Sequence, residues 1–176
     1  MAFKILNREN IYKGRVFELQ RLNILLPDER QASYDIISHP GAVTLIPVDD
    51  QGNILFVRQF RVAVDRDMLE LPAGTLNSGE KPEICAAREI REETGMAAKS
   101  IIKIGEFFLA PGYSSEHMHI FLATGLYPNP LDADDDEFLQ VQKIPISRAY
   151  EMAISGEIQD GKSLASLLLA QAHLVK

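Results

Sequence analysis

The sequence predicts an α/β fold in which helices pack against a mixed β-sheet. Strand-like apolar runs and a smaller number of helical segments interleave along its 176 residues, without the regular strand–helix alternation of an all-parallel sheet. The length and the 46% content of hydrophobic residues suit one domain, or one domain with a small appendage. The chain has a single cysteine, Cys85, so we expect it to fold without disulfides.

The first forty residues have the composition of β-strands. A β-rich run covers residues 15–26, a turn follows at Pro27, and a second run covers residues 33–37. The His-Pro-Gly sequence at residues 39–41 then interrupts the pattern. We therefore predict a small β-strand unit at residues 1–38 and a main domain at residues 39–176.

The main domain opens with an apolar strand, a hairpin turn and a returning strand. A loop at residues 70–74 leads to a helix that Pro82 opens and Gly95 closes. Asp160 is a candidate N-cap for the last helix. The predicted strands are residues 42–48, 54–58, 101–109, 117–124 and 139–144, and the predicted helices are residues 83–94, 147–154 and 163–174.

The net charge of −7 and the isoelectric point near 5.1 disfavour a general nucleic-acid partner, which the chain would repel. An anionic small substrate is compatible with this charge only where cations neutralise its site, so the carboxylates are candidate metal ligands. No apolar run approaches the ~20 residues of a membrane span, and the N-terminus lacks a signal-peptide core. We expect a cytoplasmic protein without a membrane partner.

Three carboxylates cluster on the helix at residues 83–94. At 100° per residue, Glu92, Glu89 and Glu93 fall between about 80° and 180° from Ile84, on the side expected to face away from the core. Like charges at this spacing repel by a few tenths of a kcal/mol per pair, which a hard divalent cation would reverse. Oxygen ligands favour Mg²⁺ or Mn²⁺ over zinc. A solvated acidic helix face, with Arg88 as counter-charge, is the alternative.

Residues 74–96, GTLNSGEKPEICAAREIREETGM, resemble the Nudix box. That motif is Gly, five residues, Glu, seven residues, then Arg-Glu-apolar-any-Glu-Glu-any-Gly-apolar. Seven such fixed positions occur by chance in about one window in 10⁸. The resemblance therefore favours a metal site over a solvated helix face. The matching residues are Gly74, Glu80, Arg88, Glu89, Ile90, Glu92, Glu93, Gly95 and Met96.

The segments around the box resemble the ADP-ribose pyrophosphatase branch of the Nudix hydrolase superfamily. Related nucleotide-sugar hydrolases, such as GDP-mannose hydrolases, share several of them. The stretches are HPGAV at 39–43, VRQFR at 57–61, LELPAG at 69–74, APGYSSE at 110–116, DADDDEF at 132–138 and GEIQDGKS at 156–163.

The resemblance implies an α/β/α sandwich with a mixed sheet, and Mg²⁺-dependent hydrolysis of ADP-ribose to AMP and ribose 5-phosphate. One alternative is hydrolysis of another nucleotide sugar, such as GDP-mannose or ADP-glucose. Another is a non-catalytic domain that senses a nucleotide. In this branch the N-terminal unit exchanges across a two-fold axis and helps to build the partner's site, so the resemblance also implies a homodimer.

The resemblance assigns the metal to Glu89, Glu93 and the backbone carbonyl of Ala73, with Mn²⁺ as a substitute for Mg²⁺. The resemblance implies that Glu92 binds a second metal ion or a water molecule of that ion. Structural roles fall to four other residues, with Arg88 expected to pair with Glu92 or to reach back to Glu80. These four are Gly74, Glu80, Arg88 and Gly95.

For the substrate, the resemblance implies that Arg61 faces the diphosphate and that Glu70 lies near the nucleotide. Ser114 and Glu116 are assigned to the loop over the ribose phosphate. Arg58 is either a further substrate contact or a surface strand residue.

The general base is expected on the acidic loop, with Glu137 as first candidate and Asp135 as second. A solvated connection is the alternative for this run of charges. Two departures from the branch stand out. The chain has no tryptophan to stack on the adenine, for which Phe17 or Tyr34 is a candidate replacement, and Ala110 stands where the branch often has serine.

Overall fold

A computed structural model of the chain describes residues 2–132 and 138–174. The chain divides into two compact units, residues 1–41 with 108–117, and residues 42–107 with 118–176. The first unit is larger than the predicted segment 1–38, because a later loop joins it through the backbone. The amide of Ile37 donates to the carbonyl of Tyr113 at 2.7 Å, and that of Ser115 donates to the carbonyl of Ile37 at 2.9 Å.

The first unit contains a three-stranded antiparallel sheet in the order β1-β2-β3. Its strands are β1 (Lys4–Lys13), β2 (Glu18–Leu25) and β3 (Gln31–Ser38). The sequence analysis did not predict β1, since all ten of its residues are exposed and its apolar residues do not alternate with polar ones. Two irregularities also interrupt its register with β2.

The second unit is built on a mixed seven-stranded sheet. Strand β4 pairs in parallel with β9 and antiparallel with β7. The path of the sheet is β10-β5-β4-β9-β8, with β6 paired to β5 and β7 paired to β4. The strands are β4 (Ala42–Val48), β5 (Asn53–Arg61), β6 (Arg66–Glu70), β7 (Ala73–Thr75), β8 (Met96–Phe108), β9 (His117–Pro128) and β10 (Gln140–Pro145).

In its described residues the second unit also has three α-helices: α1 (Pro82–Thr94), α2 (Ile146–Ser155) and α3 (Gly161–Leu174). The predicted ends of α1 are confirmed. Pro82 is its first residue, and Gly95 follows it with a left-handed φ of 71°. Asp160 caps α3 as predicted, because its Oδ2 accepts a hydrogen bond from the amide of Ser163 at 3.0 Å.

Two apolar layers lie on opposite faces of the central strands, because successive side chains of a strand point to opposite faces. The layer under α1 consists of Val43, Leu45, Cys85, Ala86, Ile90, Phe121 and Ala123. The layer under α2 and α3 includes Ile46, Phe56, Ile120, Leu122, Ala149 and Leu167. The predicted α/β/α sandwich with a mixed sheet is therefore confirmed. Among the described residues, no helix has both the length and the apolar composition needed to cross a membrane.

Candidate active site

Two of the three clustered carboxylates on α1, Glu89 and Glu93, lie on its buried face. Cys85, Glu89 and Glu93 are four residues apart and form one stripe, in which Glu89 is 7% exposed and Glu93 is 6% exposed. The expectation from the sequence that these glutamates face away from the core was wrong. The backbone of residues 73–75 packs over this side of the helix, so the stripe is covered.

Glu89 and Glu93 each approach the backbone of residues 73–74, where the box begins. The amide of Ala73 donates a hydrogen bond to Oε2 of Glu93 at 3.0 Å. A Cβ atom added to Gly74 would overlap the carboxylate of Glu89. Gly74 does not have a positive φ, so glycine is required here because the carboxylate of Glu89 approaches it closely.

The guanidinium of Arg88 lies among three carboxylates and pairs with both of its predicted partners at once. Nη1 donates to Glu92 and to Glu89, each at 2.7 Å. Nε and Nη2 donate to the two oxygens of Glu80, each at 3.1 Å. These bonds to Glu80 are the main cause that raises the pKa of Arg88, and they hold the pKa of Glu80 below its usual value. Arg88 therefore fixes three carboxylates relative to one another.

The donor set of this cluster fits a hard divalent cation. Arg88 pairs with three glutamates, and Glu93 brings the cluster to four carboxylates and one guanidinium, with three net formal negative charges. The available donor atoms are carboxylate and backbone oxygens. The Sγ atom of Cys85 lies 3.9 Å from Oε1 of Glu89. Burial, and then the charge of Glu89, raise the pKa of this thiol, so it stays protonated and adds no thiolate ligand.

A second charged group surrounds Glu70, which is 2% exposed. Nε and Nη2 of Arg61 donate to its two oxygens at 2.8 and 2.7 Å, and Nζ of Lys162 contacts its Oε2. Burial opposes ionisation of Glu70, but these cations outweigh it and lower its pKa. The pKa of Arg61 is raised, mainly by its hydrogen bonds to Glu70, with a contribution from the charge of Glu93. Arg61 therefore connects the two charged groups electrostatically.

The first turn of α3 supports both groups, and the sequence analysis gave Lys162 and Ser163 no role. The buried hydroxyl of Ser163 donates to Asp160 and accepts the amide of Leu71 at 2.7 Å. Nζ of Lys162 donates to Oδ2 of Asp160 at 2.9 Å. The available signal was the GEIQDGKS stretch, in which a helix N-cap is followed by a cation and a hydroxyl. This turn anchors the backbone that leads to Ala73.

Arg58 does not join these groups. In the pairing of β5 with β6, Val57 is opposite Glu70 and Arg58 is opposite Leu69, so Arg58 lies on the other face of the sheet. It lines a separate cavity of about 280 Å³ together with Arg66 and Met152.

The remaining predicted site residues belong to the first unit or lie outside the described part of the chain. Ser114 and Glu116 belong to the first unit, where Oγ of Ser114 accepts the amide of Glu116 at 3.1 Å. Phe17 and Tyr34 also belong to that unit and are exposed. Asp135 and Glu137, the candidates for the general base, lie outside the described residues.

Comparisons with known proteins match most of the chain. The family model described as NUDIX domain matches residues 38–167. The chain is 37% identical over 170 residues to the ADP-ribose pyrophosphatase of Bacillus subtilis (strain 168), which covers 96% of this chain and 92% of that protein. It is 36% identical over 169 residues to the GDP-mannose pyrophosphatase of Salmonella arizonae, with coverages of 90% and 85%. A crystal structure of an ADP compounds hydrolase shares the fold, with a TM-score of 0.87 at 23% identity over 99% of this chain and 95% of that one.

Proposed function

Since the chain belongs to the Nudix family and is a Nudix pyrophosphohydrolase, we propose that it hydrolyses nucleoside diphosphate sugars, with ADP-ribose as its preferred substrate. The products would be AMP and ribose 5-phosphate. The observation that carries the proposal is the pair of buried carboxylates, Glu89 and Glu93, packed against the backbone of residues 73–74 near the cation Arg61. The 37% identity to an ADP-ribose pyrophosphatase supports this choice of substrate.

We propose Glu89, Glu93 and the carbonyl of Ala73 as ligands of Mg²⁺, with Mn²⁺ as a substitute and Glu92 holding a second ion or its water. A bound divalent cation would polarise the phosphoryl oxygens and lower the pKa of a water molecule. Arg88 orients this ligand set, because its hydrogen bonds fix Glu89 and Glu92 relative to each other.

In the proposed reaction, water attacks phosphorus, a P–O bond of the diphosphate bridge breaks, and the proton of the water passes to a carboxylate. Glu137 is the proposed base and Asp135 the second candidate. Arg61 donates hydrogen bonds to the diphosphate, which a guanidinium matches in charge and shape. A contribution from Ser114 and Glu116 to the ribose phosphate site is part of the same proposal.

A homodimer and a cytoplasmic location stay predictions from the sequence. A preference for GDP-mannose is the second candidate, supported by the relatives of that name at about the same identity. The sensor hypothesis is disfavoured, because every carboxylate of the box is present and Glu80, Glu89 and Glu92 share one arginine.

Turnover on a panel of ADP-ribose, ADP-glucose, GDP-mannose, NADH and a nucleoside triphosphate tests the proposal. We expect ADP-ribose to be preferred, and its turnover to be lost with EDTA and reduced at least 100-fold in Glu93→Gln. Glu83→Gln is the matched control, since Glu83 is exposed on the same helix. Preference for another nucleotide sugar would change the proposed substrate but leave the proposed hydrolysis of a diphosphate unchanged. Nucleotide binding without turnover on any of these substrates would contradict the proposed hydrolysis.

A further inference from the structure

Lys162 is a second cation on the buried carboxylate of Glu70, and it comes from a different element than Arg61. Glu70 ends β6, Arg61 ends β5, and Lys162 lies in the first turn of α3. The Lys162 side chain is 13% exposed, and its Nζ contacts Oε2 of Glu70 and donates to Oδ2 of Asp160 at 2.9 Å. Two cations and two carboxylates are therefore packed together, with no net formal charge.

Arg61 is held by one edge of its guanidinium. Its Nε and Nη2 donate to the two oxygens of Glu70, which uses two of the five N–H groups of an arginine. The Arg61 side chain is 41% exposed, whereas that of Glu70 is 3% exposed. A bidentate pair fixes the plane of the guanidinium. The position of Glu70 therefore sets the direction of the edge of Arg61 that remains open.

Charge balance gives Lys162 a role in this arrangement. Without Lys162, Glu70 and Asp160 would leave Arg61 in a group with one net negative charge, which repels an anionic diphosphate. With Lys162 the group is neutral, and Arg61 has the most exposed side chain of its four members. Carboxylate oxygens accept several hydrogen bonds, so Glu70 binds both cations without displacing either.

We propose that Lys162 is a positioning residue, which neutralises and holds Glu70 so that Arg61 presents its open edge to the diphosphate of the substrate. The inference rests on the proposed function, because it takes a nucleotide diphosphate as the ligand of Arg61. Asp160 is the second carboxylate that binds Lys162, and it holds the Nζ atom of Lys162 against Glu70.

Lys162→Met removes the charge and keeps most of the length of the side chain. We expect the KM for ADP-ribose to rise about tenfold while kcat changes less than about threefold, since the loss falls on binding. Binding of ADP-ribose in EDTA, measured by calorimetry, should weaken by about the same factor without any turnover. Lys162→Arg should stay within about threefold of the wild type. Lys143→Met is the matched control, because the Lys143 side chain is 62% exposed and also pairs with a carboxylate, that of Asp49 at 3.5 Å.

A Glu70→Gln background separates positioning from direct contact. Lys162→Met removes one positive charge in either background, so a difference between the two reports the effect that passes through Glu70. We expect Lys162→Met to weaken binding less than about threefold when Gln occupies position 70. A tenfold loss in both backgrounds would mean that Lys162 touches the substrate itself, and would overturn the inference.

The outcomes also separate this inference from the proposed function. A wild type that neither binds nor cleaves ADP-ribose refutes the proposed function, and the inference with it. If the wild type is active and the KM and affinity of Lys162→Met for ADP-ribose lie within twofold of its values, the inference is overturned and the proposed function stands. If Lys162→Met does not fold by circular dichroism, the Glu70→Gln, Lys162→Met double variant is measured in its place, because it removes the buried carboxylate together with its second cation. If the double variant binds ADP-ribose as tightly as Glu70→Gln does, the inference is supported. If it binds a further tenfold more weakly, the inference is overturned.

Discussion

Replacing Gly74 with alanine tests whether the buried carboxylate of Glu89 needs the space that glycine leaves. A Cβ atom at position 74 would overlap that carboxylate, which is the end of a flexible side chain, so we expect Glu89 to move and the backbone to stay. The displacement breaks the 2.7 Å bond from Nη1 of Arg88, a charge-assisted bond worth about 1.5–3 kcal/mol. Alanine also restricts the unfolded chain, which offsets about 0.4–1 kcal/mol of this loss of stability. Alanine can adopt the backbone conformation of position 74, because Gly74 has no left-handed φ. The expected loss in the free energy of unfolding is about 1–2 kcal/mol.

The functional loss should be larger than the loss of stability, because the displaced group is a proposed metal ligand. We expect the half-saturating Mg²⁺ concentration for ADP-ribose turnover to rise about 10- to 100-fold. Urea unfolding in EDTA gives the stability, and turnover over a Mg²⁺ series gives the metal requirement. Gly161→Ala is the control, since nothing lies within 4 Å of its Cβ position and its φ is not positive.

The cause can be isolated in a Glu89→Ala background. With the carboxylate removed, Gly74→Ala should cost less than about 0.5 kcal/mol, because the two substitutions share one contact. A Gly74→Ala variant with the stability and the Mg²⁺ requirement of the wild type would show that Glu89 works equally well from another position. That result would refute the reasoning from close approach.

Two further predictions follow from the shifted pKa values. Because the pKa of Glu70 is lowered from its ordinary 4.5, its ionised form stabilises the fold above pH 4.5, and this contribution is lost as the pH falls through the lowered value. Glu70→Gln should therefore flatten the acid side of a plot of urea midpoint against pH, and an unchanged slope between pH 5 and 3 (about the range of carboxyl titration) would contradict this. Cys85 is buried and its thiol pKa is raised, so we expect a thiol reagent at pH ~8 to label the native protein far more slowly than the protein unfolded in urea. Equal rates in the two states would show that the stripe on α1 opens readily.

The parts of the fold that depend on local signals could be predicted from the sequence. Proline cannot donate to a preceding turn and glycine tolerates a left-handed φ, so Pro82 and Gly95 defined α1 without tertiary information. The buried strand at residues 42–48 followed from its apolar run. Strand β1 was missed because an exposed strand has no apolar period, and its pairing with β2 is a tertiary property.

The carboxylates of α1 were candidates from the sequence, but their arrangement was not predictable from it. A helical wheel orders Glu89 and Glu93 around α1 but does not show which element covers them, and charged side chains are seldom buried unless paired. Their burial depends on the backbone near Gly74, which only the folded chain brings there. Lys162 was missed for the same reason, since its partner Glu70 is 92 positions away and no spacing rule relates them.

The anchoring of residues 70–73 by α3 has a consequence for the order in which the molecule acquires activity. Lys162 reaches Glu70, and Ser163 binds the amide of Leu71, each across 92 positions of the chain. Contacts of such long range close late in folding, after the local elements have formed. A partly folded chain with α1 intact but α3 undocked would contain Glu89 and Glu93, the proposed metal ligands. Its Glu70, the partner of Arg61, would lack the anchor that Lys162 supplies. Recovery of catalysis during refolding should therefore lag behind recovery of helical circular dichroism, and would report the docking of α3.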